Sequence, residues 1–175
     1  RVFRNEGMDP SHLQEFTMVE HYAAYWDFED NMKFTEKMFE WLTKELMGTT
    51  KVKILDPEGK EKTVDFKAPW PRVKFYDLVK KDSGIDPAKI KSVEELRKAV
   101  RAKGIRIEGM EAMGFGSLVD HIYKKTSRPK LIGPLFVIEH PVEMKPLSRK
   151  SDTNPGMCDT FQLLVNGWEV INAYG

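Results

Sequence analysis

The most constraining stretch of this chain lies near its end. Phe161 to Val165 and Trp168 to Tyr174 are two strand-like runs separated only by Asn166-Gly167. Asn-Gly tolerates the positive φ angles of a type I′ turn, whose twist matches that of paired strands, so the two runs predict a tight antiparallel hairpin. Leu135-Phe136-Val137-Ile138 reads as a buried strand. Residues 51–66 predict a second hairpin turning at Asp56-Pro57-Glu58-Gly59. Strands paired by hairpins, with helices between them, argue for an α+β fold built on an antiparallel sheet.

The intervening segments carry helix signals. Asp27 or Asp30 can cap a helix whose stripe is Met32, Phe39, Leu42 and Leu46, and Gly48 supplies its stop. Pro69 and Pro71 punctuate the chain before a helix near 75–81. Ser92-Val93-Glu94-Glu95 is a capping box that opens a helix with Leu96 and Val100 inside, ended near Gly104. Ser117 opens another, with Leu118, Val119, Ile122 and Tyr123 inward, stopped before Pro129. At the start, residues 1–6 and 15–26 read as strands around the turn-rich Gly7-Met8-Asp9-Pro10-Ser11, which predicts a long hairpin.

Composition narrows the function classes. With 41% hydrophobic and 31% charged residues in 175, the chain has the makings of one folded domain and is not of disordered type. No window is long and apolar enough for a membrane helix. A single cysteine, Cys158, excludes an internal disulfide framework and a cysteine-rich zinc site. No Gly-rich run ends in Gly-Lys-Ser/Thr, so a P-loop is absent. Net charge is +1, which by itself implies no nucleic acid. Residues 1–45 hold 5 Lys/Arg against 10 Asp/Glu. That segregation fits chance on a solvated surface, or an acidic site for cationic ligands on a body that tolerates polyanions. The chain opens Arg1-Val2-Phe3-Arg4 and stops after a strand-like run, so it is expected to belong to a longer polypeptide.

On extended strands, residues two apart share a face. Arg4 and Glu6 would then look one way, and so would Phe16, Met18, Glu20 and Tyr22. A guanidinium can fork onto phosphate oxygens, an aromatic ring can stack on a purine, and a carboxylate beside a phenol can hold an ammonium. The alternative is a solvated face of ion pairs with Phe16 in the core. Residues 89–106 carry seven basic residues and two acids, either a solvated helix face or a patch for nucleic-acid phosphates. His21, His121 and His140 lack metal-ligand spacing and are expected to be structural, and Cys158 a free thiol without a catalytic role.

Three blocks carry a resemblance. Phe3-Arg4-Asn5-Glu6-Gly7, His12, Glu15-Phe16-Thr17-Met18 and Glu20-His21-Tyr22 resemble motif 2 of the class II aminoacyl-tRNA synthetases, most closely the lysyl-tRNA synthetases. Glu139-His140-Pro141 with Pro146-Leu147-Ser148, and then Trp168-Glu169-Val170-Ile171-Asn172-Ala173-Tyr174, resemble later strands of that family in the same order. The resemblance implies a partial catalytic domain over 1–175, with about 68–133 an insertion between catalytic strands that is open to tRNA. It implies activation of lysine by ATP with Mg2+ and transfer to tRNA(Lys), in a cytoplasmic, homodimeric parent. The piece alone is expected to be feeble or inactive.

Roles follow residue by residue from that resemblance. Arg4 would bind the α-phosphate, and Glu6 would sit near the adenine or the acceptor adenosine. His12 would contact the distal phosphates, and Phe16 would stack on adenine. Glu20, Tyr22 and Asn172 would face the lysine, and Glu169 would bind magnesium. Two departures stand out. His12-Leu13-Gln14-Glu15-Phe16 stands where the family often reads His-Asn-Pro-Glu-Phe, and Gln162 stands where many members carry a second metal carboxylate. A ligase paralogue that modifies a protein lysine, and a non-catalytic synthetase-like binding module, fit the same blocks.

Overall fold

A computed structural model of the chain describes residues 1–5, 7, 12–56 and 58–175. Its centre is a four-stranded sheet in the order β5 (Arg72–Lys74), β6 (Leu135–Pro141), β7 (Met157–Val165) and β8 (Trp168–Tyr174). β6, β7 and β8 are antiparallel, as the hairpin signal requires, and β5 joins the edge in parallel with β6. Asn166 and Gly167 turn the β7–β8 hairpin with φ of 52° and 74°, the left-handed region that Asn and Gly enter most easily.

The sheet is covered on both faces, which makes the fold α+β. On one face lie α1 (Phe28–Met47) and the separate hairpin of β3 (Lys51–Leu55) and β4 (Glu61–Asp65). Here Met32, Val64, Phe66 and Trp70 pack on Phe136, Phe161 and Leu163. Trp70 meets Phe136 with ring centroids 5.4 Å apart, and Phe136 meets Phe161 edge-on at 5.0 Å. On the other face lie α2 (Phe75–Ser83), α3 (Val93–Ala102) and α4 (Phe115–Thr126). Their buried Phe75, Leu78, Leu96, Val100, Leu118 and Ile122 share one core with Val137 and Leu164 of the sheet. The segment 68–133 therefore supplies an edge strand and one whole covering layer.

Local signals explain the helix ends. Asp27 caps α1 by accepting from the Asp30 N–H at 2.9 Å, and Gly48 closes it at φ 69°. Ser92 caps α3 through the Glu95 N–H at 3.2 Å. α4 begins two residues before the expected Ser117, at Phe115 after Gly114, with no side-chain cap. Only part of the expected α1 stripe is inside: Met32 is buried and Leu46 is 78% exposed. The inner face continues instead through Thr35, Glu36 and Thr43.

The long opening hairpin is the main correction. Its ladder is short, with β1 (Val2–Phe3) paired antiparallel to β2 (Glu15–Phe16) and extended by one bond from Arg4 N–H to the Gln14 carbonyl at 2.9 Å. Residues 17–26 form no strand. Val19, Tyr22 and Tyr25 are almost wholly exposed. β-propensity expresses the fit of a side chain to a half-buried pleated surface, and among the described residues no such surface faces this run. Most of the expected turn, along with Glu6 and Pro57, lies outside the described residues.

Candidate functional site

Two bulges build the central site. Glu139, at φ 55°, interrupts the β6–β7 register between Ile138 and His140. Between those positions β6 advances two residues and β7 three, and the left-handed backbone at Glu139 breaks the alternation of faces along β6. His140 therefore joins Val137 on the α2–α4 side, with its ring 5.2 Å from that of Phe75. In β8 the register shifts between Leu163 and Leu164, so that Ile171 opposes Leu163 and Glu169 opposes Leu164. Glu169 and Asn172 are three apart, and in a regular strand they would face opposite ways. The bulge puts both on the face of Gln162.

These side chains form a hydrogen-bonded line. Gln162 Nε2 donates to Glu169 Oε2 at 2.7 Å, which leaves its Oε1 to accept from His140 Nε2 at 3.1 Å. The imidazole therefore carries its proton on Nε2, and Nδ1 accepts from the Thr160 hydroxyl at 3.2 Å. Burial, with a smaller push from the Lys145 charge, lowers the His140 pKa from 6.5 to about 4. The fold thus favours the neutral ring. Its contribution to stability is complete above the unfolded value near 6.5 and is lost as the pH falls toward 4, at a total cost of about 3 kcal/mol. Urea unfolding at pH 7 and pH 4.5 should show that loss, and His140→Gln should remove most of the difference.

The line opens into a cavity of about 390 Å³ between α4 and the sheet. Its walls include Asp120, Tyr123 and Lys124 of α4, Glu143 and Lys145 from the turn after β6, and Glu169 and Asn172 of β8. Gly116 lets the helix approach that turn, since a Cβ there would meet the Glu143 Cβ at 3.1 Å. Asp120 pairs with Lys124 at 2.8 Å. The Tyr123 hydroxyl is buried and has no hydrogen-bond partner among the described residues. Among the described residues no group of three or more His, Cys, Asp or Glu side chains is arranged to hold a metal ion. For a hard cation the line offers one carboxylate, Glu169, because the Gln162 oxygen is already taken by His140.

The opening ribbon holds its own groups. The Arg4 guanidinium lies over the Phe16 ring at 5.3 Å. The Tyr22 hydroxyl donates to Glu20 Oε1 at 2.6 Å, and that bond, with the carboxylate charge, raises the Tyr22 pKa. The structure thus brings Arg4 to Phe16 and Glu20 to Tyr22. The cavity walls include Glu169 and Asn172 and none of Arg4, His12, Phe16, Glu20 or Tyr22. The sequence reasoning missed Lys145 and Asp120 as cavity residues. For Lys145 the only sequence signal was its place beside Pro146-Leu147-Ser148 in one of the three blocks.

Part of the basic patch at 89–106 has internal work. Arg97 donates to the carbonyls of Met110, Glu111 and Met113, fixing the connection from α3 to α4. Arg101 is paired with Glu111.

The family of tRNA synthetases class II (D, K and N) matches residues 1–175. A lysine–tRNA ligase of Pelotomaculum thermopropionicum is 38% identical over 174 residues, 99% of this chain and 33% of the relative. Lysine–tRNA ligases of Porphyromonas gingivalis and Aquifex aeolicus are each 41% identical, over 99% and 98% of this chain and 29% and 28% of their own lengths. The chain thus spans about a third of the length of these curated relatives.

Proposed function

The chain belongs to the class II tRNA synthetases of the D, K and N group, and from that premise we propose that it contributes part of the active site of a lysine–tRNA ligase. The observation that carries this reading is the likeness to lysine–tRNA ligases along 98–99% of its length. The reaction joins the lysine carboxylate oxygen to the α-phosphorus of ATP as the bond to pyrophosphate breaks. The lysyl group then passes to the terminal ribose hydroxyl of tRNA(Lys), and AMP leaves. No protein nucleophile is required.

In this reading Arg4 grips the α-phosphate and offsets the charge that develops there. Phe16 stacks on adenine, His12 meets the distal phosphates, and Glu6 lies toward the adenine or the acceptor nucleoside. Glu20 and Tyr22, already bonded to each other, present acceptors to the lysine ammonium, and Asn172 adds an amide. An ammonium would pair with these acceptors, and a neutral side chain would leave them unpaired. Glu169 would hold Mg2+, which when bound neutralises phosphate charge. The parent is read as a cytoplasmic homodimer, with 1–175 a partial catalytic domain and about 68–133 an insertion within it.

The test is lysine-dependent exchange of labelled pyrophosphate into ATP, measured on the complete polypeptide carrying residues 1–175. Exchange with lysine and none with aspartate or asparagine is expected. Gln162, a neutral amide engaged by His140 and Glu169, favours a second reading as a binding-only module. Absence of exchange with any of the three amino acids would select it.

A further inference from the structure

The cavity that holds Glu169 and Asn172 already contains an ammonium. Lys145 Nζ donates to Asn172 Oδ1 at 3.1 Å and lies 5.4 Å from the centroid of the Tyr174 ring. Asn172 Nδ2 donates to the Tyr174 hydroxyl at 3.0 Å, so amide and ring are held as one unit. An oxygen acceptor and an aromatic face are neutral groups suited to a partly desolvated ammonium.

Among the described residues no carboxylate lies within ion-pair distance of this ammonium; Asp120 is paired with Lys124 and Glu169 accepts from Gln162. Burial pushes the Lys145 pKa down, and the charges of Glu169 and Asp120 oppose that push. The backbone of Lys145 is held independently of its side chain, since its carbonyl accepts from the Ser148 N–H at 3.0 Å. Its four-carbon stem can therefore swing out with the turn in place. The partnerless Tyr123 hydroxyl on the same wall marks space suited to a polar ligand.

We propose that Lys145 is an internal competitor for the ammonium site formed by Asn172 and Tyr174, and that the side-chain ammonium of a ligand must displace it to enter. The inference rests on the reading above, in which that ligand is free lysine. Lys145 then sets the affinity for the amino acid. A site open for only about a tenth of the time binds about tenfold more weakly than an open one.

The experiment is calorimetric titration of the complete polypeptide with free lysine, for the natural chain, Lys145→Met and Lys145→Gln. Both substitutions remove the charge and keep most of the stem. Lysine should bind about threefold to tenfold more tightly to both variants. A second measurement needs no variant. Pulse acetylation of the natural chain, read by mass spectrometry, should label Lys145 more when lysine saturates the site, and norleucine should leave labelling unchanged. Equal or weaker lysine binding by the variants, or labelling of Lys145 that lysine leaves unchanged, overturns the competition. Absence of lysine binding by the natural chain and by both variants overturns the lysine reading itself.

Discussion

Replacing Arg4 by alanine is expected to lower lysine-dependent pyrophosphate exchange by about 100- to 1,000-fold, the usual cost of losing one donor aimed at developing charge. The Arg4 backbone is pinned to the ribbon by its bond to Gln14, and its guanidinium sits on the Phe16 ring. The planar fork of a guanidinium matches two phosphate oxygens at once. A lysine offers only a compact point charge on a flexible stem, so Arg4→Lys should recover little. The loss should fall mainly on kcat, because the charge that Arg4 meets grows as the bond to phosphorus forms. Exchange on the complete polypeptide, with ATP and lysine varied separately, checks this. A variant altered only in its KM for ATP would reduce Arg4 to a ground-state contact.

The β7–β8 hairpin was legible because a two-residue Asn-Gly turn leaves one pairing, and the structure follows it. The capping signals at Asp27 and Ser92 were legible for a similar reason: each is a local bond between a side chain and an N–H three residues on. The opening ribbon was misread because β-branched and aromatic residues signal a strand only where a surface receives them. Along 17–26 the described residues offer no paired strand, only the Phe34 ring of α1, which meets the rings of His21 and Trp26. Alternation could not reveal how Glu169 comes to share a face with Asn172 either. Their spacing is wrong for a regular strand, and the bulge at Val170 that corrects it has no signature in that sequence. His140 depends likewise on the left-handed backbone at Glu139. Lys145 was overlooked because a lysine in a proline-flanked turn looks solvated until the Asn172 amide is placed beside it.

The buried carboxylate of Glu36 was equally invisible, and removing it should produce the largest stability loss among these predictions. Periodicity places Glu36 in the helix as one more charged residue, yet it is only 5% exposed. Its Oε1 accepts from the Trp70 N–H at 2.7 Å and from Arg72 Nη1 at 2.5 Å. One turn along α1, Glu40 Oε2 accepts from the Ala68 N–H at 3.2 Å. Two carboxylates of α1 thus hold the chain that enters edge strand β5. Glu36→Ala would leave the N–H of the buried Trp70 unsatisfied and strip the Arg72 guanidinium of its carboxylate, leaving it the Trp70 carbonyl. Breaking a buried pair on one side costs about 3–5 kcal/mol, more than the pair itself contributes. Glu36→Gln keeps an oxygen for Trp70 and should lose less. Urea denaturation of both variants at pH 7 measures the difference. Arg72 is 30% exposed and can turn toward water, so Arg72→Met should be milder than Glu36→Ala. The reverse order would mean that the guanidinium, through its approach to the Phe136 ring at 5.3 Å, is what joins α1 to the sheet.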